Sequence, residues 1–452
     1  MGWGDPARGT PVKAGPGTGR PGVVEAETRG TPMETDVRRN PGLLKLDLYC
    51  KGIRLDDSCM VEHDGGRSIM RTRAGLGSGL EAILPSGLWT NIPVTEDFAS
   101  RSPYLLFRDG GRYLIKRDDR ERTEIAEITP SPRPAWYERS TTTGKKMRSV
   151  GSLQGTYLGV YPAKVCEYWT EKTKSNCKFC SVGLNLGVDD ADEKSVREVL
   201  EVVWAAIEES EITYVDFNTG HYAGYTYLDI LEPYIREIKR QTGLLIGIQT
   251  PPHPDLKRYD ALRDLGVNRV SFCFEIFDEA RFREVCPGKD REYGLKKYLD
   301  ATEYCAKMPR RGGIFDPWVA QGEIVVGLES PESSIAAIDW ITSVGAMPTV
   351  CVFRPLKGTD YDGVPPPKTE EMIPVFRRLY EACMENNLPI GVAPNIHVSL
   401  VLLPEECRWF VDSPAKYALR EMKLKAMSGV FSAGFYRQMR KVQAAHRPAG
   451  AR

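Results

Sequence analysis

Residues 165–187 read VCEYWTEKTKSNCKFCSVGLNLG. Cys177 and Cys180 stand two residues apart, so both thiolates can reach one metal centre, and Cys166 is close enough upstream to return through a loop as a third ligand. Closed structural sites use four such ligands. On a four-iron cluster, three thiolates leave one iron with an open position suited to a small molecule. Two other readings of the same residues stand beside this one. One is a zinc site completed by a histidine such as His221, and the other is a thioredoxin-like Cys-x-x-Cys pair, in which Cys166 has no role. The polar Lys, Asn and Thr around the cysteines argue against chance burial of small apolar thiols.

The sequence on either side sets the stretch in a β/α repeat. Strands are expected at Tyr157–Tyr161, Tyr214–Asn218, Leu244–Gln249, Arg269–Ile276, Glu323–Leu328 and Thr349–Arg354. Between them SVREVLEVVWAAIEE, LDILEPYIREIKRQ, PDLKRYDALRDL, GLKKYLDATEYCAK and ESSIAAIDWITSV repeat apolar residues at three- and four-residue spacing, as amphipathic helices do. Gly243, Gly266 and Gly345 fall where helix C-caps are expected. Six such units predict a parallel sheet with helices outside, and periodicity alone is met by a partial barrel or a doubly wound sheet. In a barrel, the loop after the first strand lies on the face where active sites collect.

Residues 1–32 are rich in Gly and Pro and read as a disordered tail, with Met33 an alternative start. Residues 33–150 read as a small, β-rich N-terminal domain: HDGGRS, PSG, RDGGR and SPRP are turns, and EAILP, YLLF and RYLIK are short strands between them. Residues 151–362 form the barrel, whose open side the N-terminal domain is expected to close. Residues 363–452 form a C-terminal α/β extension, with a helix over 370–386, one or two strands in PIGVAPNIHVSLVLLP and a frayed basic end.

Composition narrows the function classes. Among 452 residues, 61 Lys and Arg balance 61 Asp and Glu, which excludes a general polyanion-binding field and makes nucleic acid an unexpected partner. The basic run GKKMRS (144–149) reads as a solvated loop. No stretch approaches the roughly 18–20 apolar residues of a membrane span. The eleven cysteines are odd in number and, 166–180 apart, scattered, which fits a reducing, cytoplasmic setting. Cys50 and Cys59 read as structural. Phosphate-loop, zincin and nucleophile-elbow motifs do not occur.

The Cys-x-aromatic-Cys ending at Cys177, Phe179 and Cys180, placed after the first strand of a β/α repeat, resembles the radical S-adenosylmethionine (radical SAM) superfamily. FEIF followed by ARFREVCPGKDREYGLKKYLDAT, and GEIVVGLESPESSIAAIDWI, resemble the fourth and fifth units of lipoyl and biotin synthases. With CEYW and VFRPLKGT, the chain is most similar to radical SAM proteins of nitrilase-associated bacterial gene clusters. The resemblance implies a partial (β/α)6 TIM-like barrel and a [4Fe-4S] cluster on Cys166, Cys177 and Cys180, with SAM on the open iron. It further implies reductive cleavage of SAM to a hydrogen-abstracting 5′-deoxyadenosyl radical, a small-molecule substrate, and an electron donor such as flavodoxin or ferredoxin. The family pattern has three residues between its first two cysteines, where this chain has ten.

Carried over by position, Asn218, Thr219 and Gly220 contact SAM at the end of the second strand, with FNTG in place of the family's Gly-Gly-Glu. Glu275 faces ligand from an apolar strand that buries a lone acid only at a cost. Arg283 or Lys289 neutralises the SAM carboxylate, Gly327 lets backbone approach adenine, and Arg354 points into the mouth. Each has a plainer alternative as a turn, helix-face or ion-pair residue. His221, Tyr222 and Tyr225 touch substrate or cover the rim. Cys273, Cys286 and Cys351 raise a second cluster; as they form no close pair, they read as buried single cysteines. The expected reaction is rearrangement or oxidation, with sulfur insertion as its alternative. The rival from another class is a zinc-stabilised binding protein.

Overall fold

The computed structural model describes residues 33–60, 79–309 and 316–447. The Gly/Pro-rich start, the HDGGRS turn and the last five residues lie outside these.

The N-terminal region opens on a helix, Pro41–Lys51, where strands were expected. The stretch Leu44-Lys45-Leu46-Asp47-Leu48 alternates apolar and charged residues like a strand. Its helix signals sit at the ends: Asn40 caps Leu43 N–H at 2.9 Å, Pro41 takes the first turn, and Gly52 stops the helix at φ 65°. Residues 41–50 are all buried because the helix lies between two cores. Leu44 and Leu48 pack on the N-terminal sheet, and Leu43, Leu46 and Tyr49 on the barrel side. The buried charges are partnered: Lys45 bonds Glu406 at 2.7 Å, and Asp47 accepts from Tyr104 and Thr369.

The N-terminal sheet comprises β1 (Arg54–Leu55), β2 (Leu80–Leu84), β3 (Leu88–Ile92), β4 (Tyr104–Asp109), β5 (Arg112–Arg117) and β6 (Glu124–Pro130), in the order β1-β4-β5-β6-β2-β3. EAILP, YLLF and RYLIK are strands as read. Gly110 and Gly111, at φ 54° and 93°, make the tight β4–β5 turn that RDGGR announces.

A second sheet holds β7 (Ser152–Leu153), β8 (Leu158–Val160), β9 (Tyr214–Asn218), β10 (Leu245–Gln249), β11 (Arg269–Glu275), β12 (Val319–Val326) and β13 (Met347–Val352) in strict sequence order. From β8 to β13 every pairing is parallel. A doubly wound sheet reverses its order at a switch point. Its absence here leaves a partial, curled barrel sheet flanked by helices. Gly243 and Gly266 cap their helices at positive φ, and Gly345 follows the cap Val344.

Among the described residues the sheet does not close on itself by strand pairing. The segment 389–405 spans the gap between its ends, instead of forming the expected strands. Val401 makes a single antiparallel bridge to Cys351 of β13. Toward β8, Thr156 N–H donates to His397 O at 3.1 Å and Thr156 Oγ1 to Asn395 O at 2.7 Å. Pro389, Gly391, Pro394 and Asn395 (φ 50°) deny this segment a regular ladder. The N-terminal region lies behind it: Asn91 N–H and Tyr49 Oη both donate to Ser399 O. The C-terminal region is otherwise helical, with Thr369–Glu385 and a 29-residue helix, Ala418–His446, where a frayed end was expected. Among the described residues, no helix is long and apolar enough to cross a membrane.

Candidate functional site

The loop after β8 carries the three clustered cysteines, and backbone hydrogen bonds pin it along its length. Glu167 N–H donates to His221 O at 3.0 Å, and Cys180 N–H turns back to Cys177 O at 3.0 Å. Lys178 N–H donates to Val285 O at 2.9 Å, and Gly288 N–H to Ser175 O at 3.0 Å. Gly220 is required by close approach: a Cβ there would stand 2.4 Å from Cys166 Cβ. His221 N–H, the next donor along, points at Cys166 Sγ at 3.3 Å.

Cys166, Cys177 and Cys180 all border one cavity of about 860 Å³. Burial pushes the Cys166 thiol up to about 11 and the Cys180 thiol up to about 12. Cys177 is held below the usual range by a hydrogen bond from the Cys286 thiol, helped by the Lys289 cation. Among the described residues, no three His, Cys, Asp or Glu side chains converge as they do around a single metal ion. His221 shares a 2.6 Å hydrogen bond through Nδ1 with Tyr293 Oη and stacks on Tyr168 at 4.6 Å.

Asn218, Thr219, Gly220 and Glu275 border the same cavity. Glu275 ends β11 at φ 69°, a strained backbone for a residue with a Cβ. Its Oε1 accepts from Lys289 Nζ at 2.8 Å, while its buried Oε2 has no partner. Lys289, not Arg283, is thus the cation the fold brings to the site. Arg283 is exposed on a helix face, 3.4 Å from Asp290. Gly327, at φ 94°, faces Pro367 rather than the cavity. Arg354 is turned away, with Nη1 and Nη2 donating to Asn91 Oδ1 and O at 2.9 and 2.6 Å and its guanidinium over Tyr49. Gly327 and Arg354 lie off the cavity wall because their strand ends pack against Pro367 and the N-terminal sheet, and Arg283 because its helix face is turned to solvent. Tyr222 sits behind the wall, its hydroxyl bonded to Lys164 O, and Tyr225 donates to Glu292 at 2.6 Å. Cys273 and Cys351 border the cavity from β11 and β13; Cys59 bonds Leu106 O in the N-terminal region.

The cavity wall also holds residues that the sequence reading passed over. Tyr214 and Asp216 (β9), Gln249 (β10), Arg269 (β11), Gln321 and Glu323 (β12) and Thr349 (β13) form a polar belt inside the barrel, with Ser271 of β11 buried beside Glu323. Arg269 Nη1 donates to Asp216 Oδ1 at 2.8 Å and to Tyr214 Oη at 3.1 Å, and Gln249 Nε2 to Asp216 Oδ2 at 2.9 Å. The signal was present as polar residues at every second position of otherwise apolar strands, the period of one strand face.

Residues 170–328 match the model of the Radical SAM superfamily. The chain is 28% identical over 261 residues to the bacteriochlorophyllide c C-7(1)-hydroxylase of Chlorobaculum limnaeum, covering 53% of this chain and 63% of that protein, so it spans under two thirds of that curated relative. Among solved structures, methylornithine synthase is matched at 16% identity and TM-score 0.39, over 50% of this chain and 62% of that one. HydG, a maturase of the [FeFe]-hydrogenase, is matched at 14% identity and TM-score 0.40, over 50% and 49%.

Proposed function

Taking the chain as a member of the radical SAM superfamily, we propose that it holds a [4Fe-4S] cluster on Cys166, Cys177 and Cys180, cleaves SAM reductively and abstracts hydrogen from a small-molecule substrate. One observation carries this reading. Three thiols of a single loop border one cavity together with Glu275, whose buried Oε2 has no partner. Three thiolates are one short of a closed four-ligand site and would leave one iron of a four-iron cluster open to a ligand. When bound, the cluster and SAM supply one-electron chemistry able to take hydrogen from an unactivated C–H bond.

The chain's own residues would do the rest. Glu275 Oε2 would accept a hydrogen bond from a ligand hydroxyl or ammonium, gaining the partner it lacks. Asn218 and Thr219 would offer amide and hydroxyl groups at the end of β9. Lys289 would balance negative charge brought by thiolates and ligand. Tyr168, Trp169 and Phe179 on the wall would exclude water. An electron donor such as flavodoxin or ferredoxin would supply the reducing electron. The hydroxylase relative favours oxidation over sulfur insertion as the outcome; lipoyl and biotin synthases remain the alternative.

The test is anaerobic reconstitution with iron and sulfide, followed by electron paramagnetic resonance of the reduced protein. A [4Fe-4S]⁺ signal that SAM perturbs and that Cys180→Ala abolishes is expected. A chain that takes up zinc and no cluster overturns the reading.

A further inference from the structure

The cavity continues past the cysteines to the opposite rim of the barrel, where the strands begin. There it is bordered by Leu245, Trp318 and Met347, by the segment 389–405, and by the helix Ala418–His446. Met427 and Val430 of that helix line the cavity and are also 37% and 59% exposed. Side chains that border both the interior and solvent mark a second mouth, at the end of the barrel away from the cysteines.

The wall changes character along its length. At the second mouth apolar side chains predominate, with Val392, Ile396, Leu403 and Val430, and the charged Lys423, Glu405 and Asp316 also border it. Halfway up lies the polar belt, and its hydrogen bonds are unevenly shared. Asp216 receives Arg269, Tyr214 and Gln249, all within 2.9 Å. Glu323, only 2% exposed, has Ser271 Oγ at 3.4 Å, Cys351 Sγ at 3.8 Å and Arg269 Nη2 at 3.9 Å. All are long for a buried carboxylate. Asp216 and Glu323 share one guanidinium, and Arg269 lies close to Asp216 and far from Glu323, so Glu323 has hydrogen-bonding capacity to spare.

We propose that the substrate is an amphiphile that enters by the Met427–Val430 mouth, lodges its apolar body in the lower chamber and places a hydrogen-bond-donating head, an amine by preference, on Glu323. A head held there leaves the adjoining part of the molecule below the cysteine loop. The inference rests on the reading of the upper cavity as the cofactor end.

Calorimetric titration of the full chain with n-decylamine and with n-decanoate, each below its aggregation threshold, tests it. The amine is expected to bind at one site at least tenfold more tightly than the carboxylate. Glu323→Gln should weaken the amine about tenfold and narrow that preference. Val430→Trp, which plugs the mouth from an exposed position, should weaken both ligands, whereas Val188→Trp, at an exposed position off the cavity, should weaken neither. Equal affinity for amine and carboxylate, or affinity unmoved by both Glu323→Gln and Val430→Trp, overturns the proposal. The titration needs no cofactor. A chain that binds decylamine as described but builds no cluster refutes the proposed function alone, and one that builds the cluster but lacks the decylamine site refutes this inference alone.

Discussion

Lys289 Nζ lies 2.8 Å from Glu275 Oε1 and donates to the carbonyl of Cys273 at 2.5 Å, which ties the short helix Pro287–Glu292 to the end of β11. Glu275 is buried and Lys289 is largely covered, and Glu275 holds a left-handed backbone there. Removing one partner of a buried pair strands the other charge, at roughly 3–5 kcal/mol. Lys289→Met should therefore lower unfolding free energy by about that amount in urea. The double variant Lys289→Met/Glu275→Gln should recover much of the loss. Equal losses in both variants would show that the pair is not coupled.

Gly220→Ala should disturb the cysteine loop more than the fold. The added methyl meets Cys166 Cβ at 2.4 Å, and overpacking of this kind costs about 1–3 kcal/mol. The loop is the softer partner, so Cys166 should shift. Iron bound per chain after reconstitution should fall by more than half, while far-ultraviolet circular dichroism is unchanged. Gly363→Ala, where an added Cβ meets nothing within 4 Å, is the control.

The barrel was legible because its six strands and their helices carry strong periodicity, and the cysteine loop because its spacing is chemical. Strand order was not legible, since parallel pairing depends on contacts far apart in sequence. The helix Pro41–Lys51 was missed because burial on both sides erases amphipathic spacing and leaves an alternation that mimics a strand. Glu275 stood out as a lone acid in an apolar run. Asp216, Arg269 and Glu323 carried the same signal on neighbouring strands, but only as a set, once the strands are known to share one inner face. Arg354 misled because a strand end next to a mouth can equally face the layer behind it.

Burial, reinforced by the charge of Glu275 and opposed by Arg269, raises the Glu323 carboxyl from its ordinary 4.5 to about 7. The folded chain therefore keeps a proton that the unfolded chain releases. The stability Glu323 contributes is fully present below about pH 4.5 and is lost as pH rises through 7. At about 1.4 kcal/mol per pH unit the total is at most a few kcal/mol. Glu323→Gln should flatten this part of the profile, so its stability relative to the parent chain should improve from pH 5 to pH 7.5. Parallel profiles for the two chains in urea titrations would remove Glu323 from the account.

Arg354→Met separates two roles for one residue. In the structure Arg354 is buried, holds Asn91 through two hydrogen bonds and covers Tyr49, so it joins β13 to the N-terminal sheet. Asn91 N–H in turn holds Ser399 O of the segment that spans the barrel's gap. Methionine keeps much of the side-chain volume but leaves Asn91 Oδ1 and O without these donors, each an unsatisfied buried acceptor worth about 1–3 kcal/mol. The variant should lose roughly 2–4 kcal/mol in urea unfolding. Its affinity for SAM, by equilibrium dialysis of the reconstituted chain at a temperature where it stays folded, should match the parent's within about threefold. A folded variant of near-parent stability that has lost SAM would instead return Arg354 to the ligand, and would require its guanidinium to swing away from Asn91 when the cavity fills.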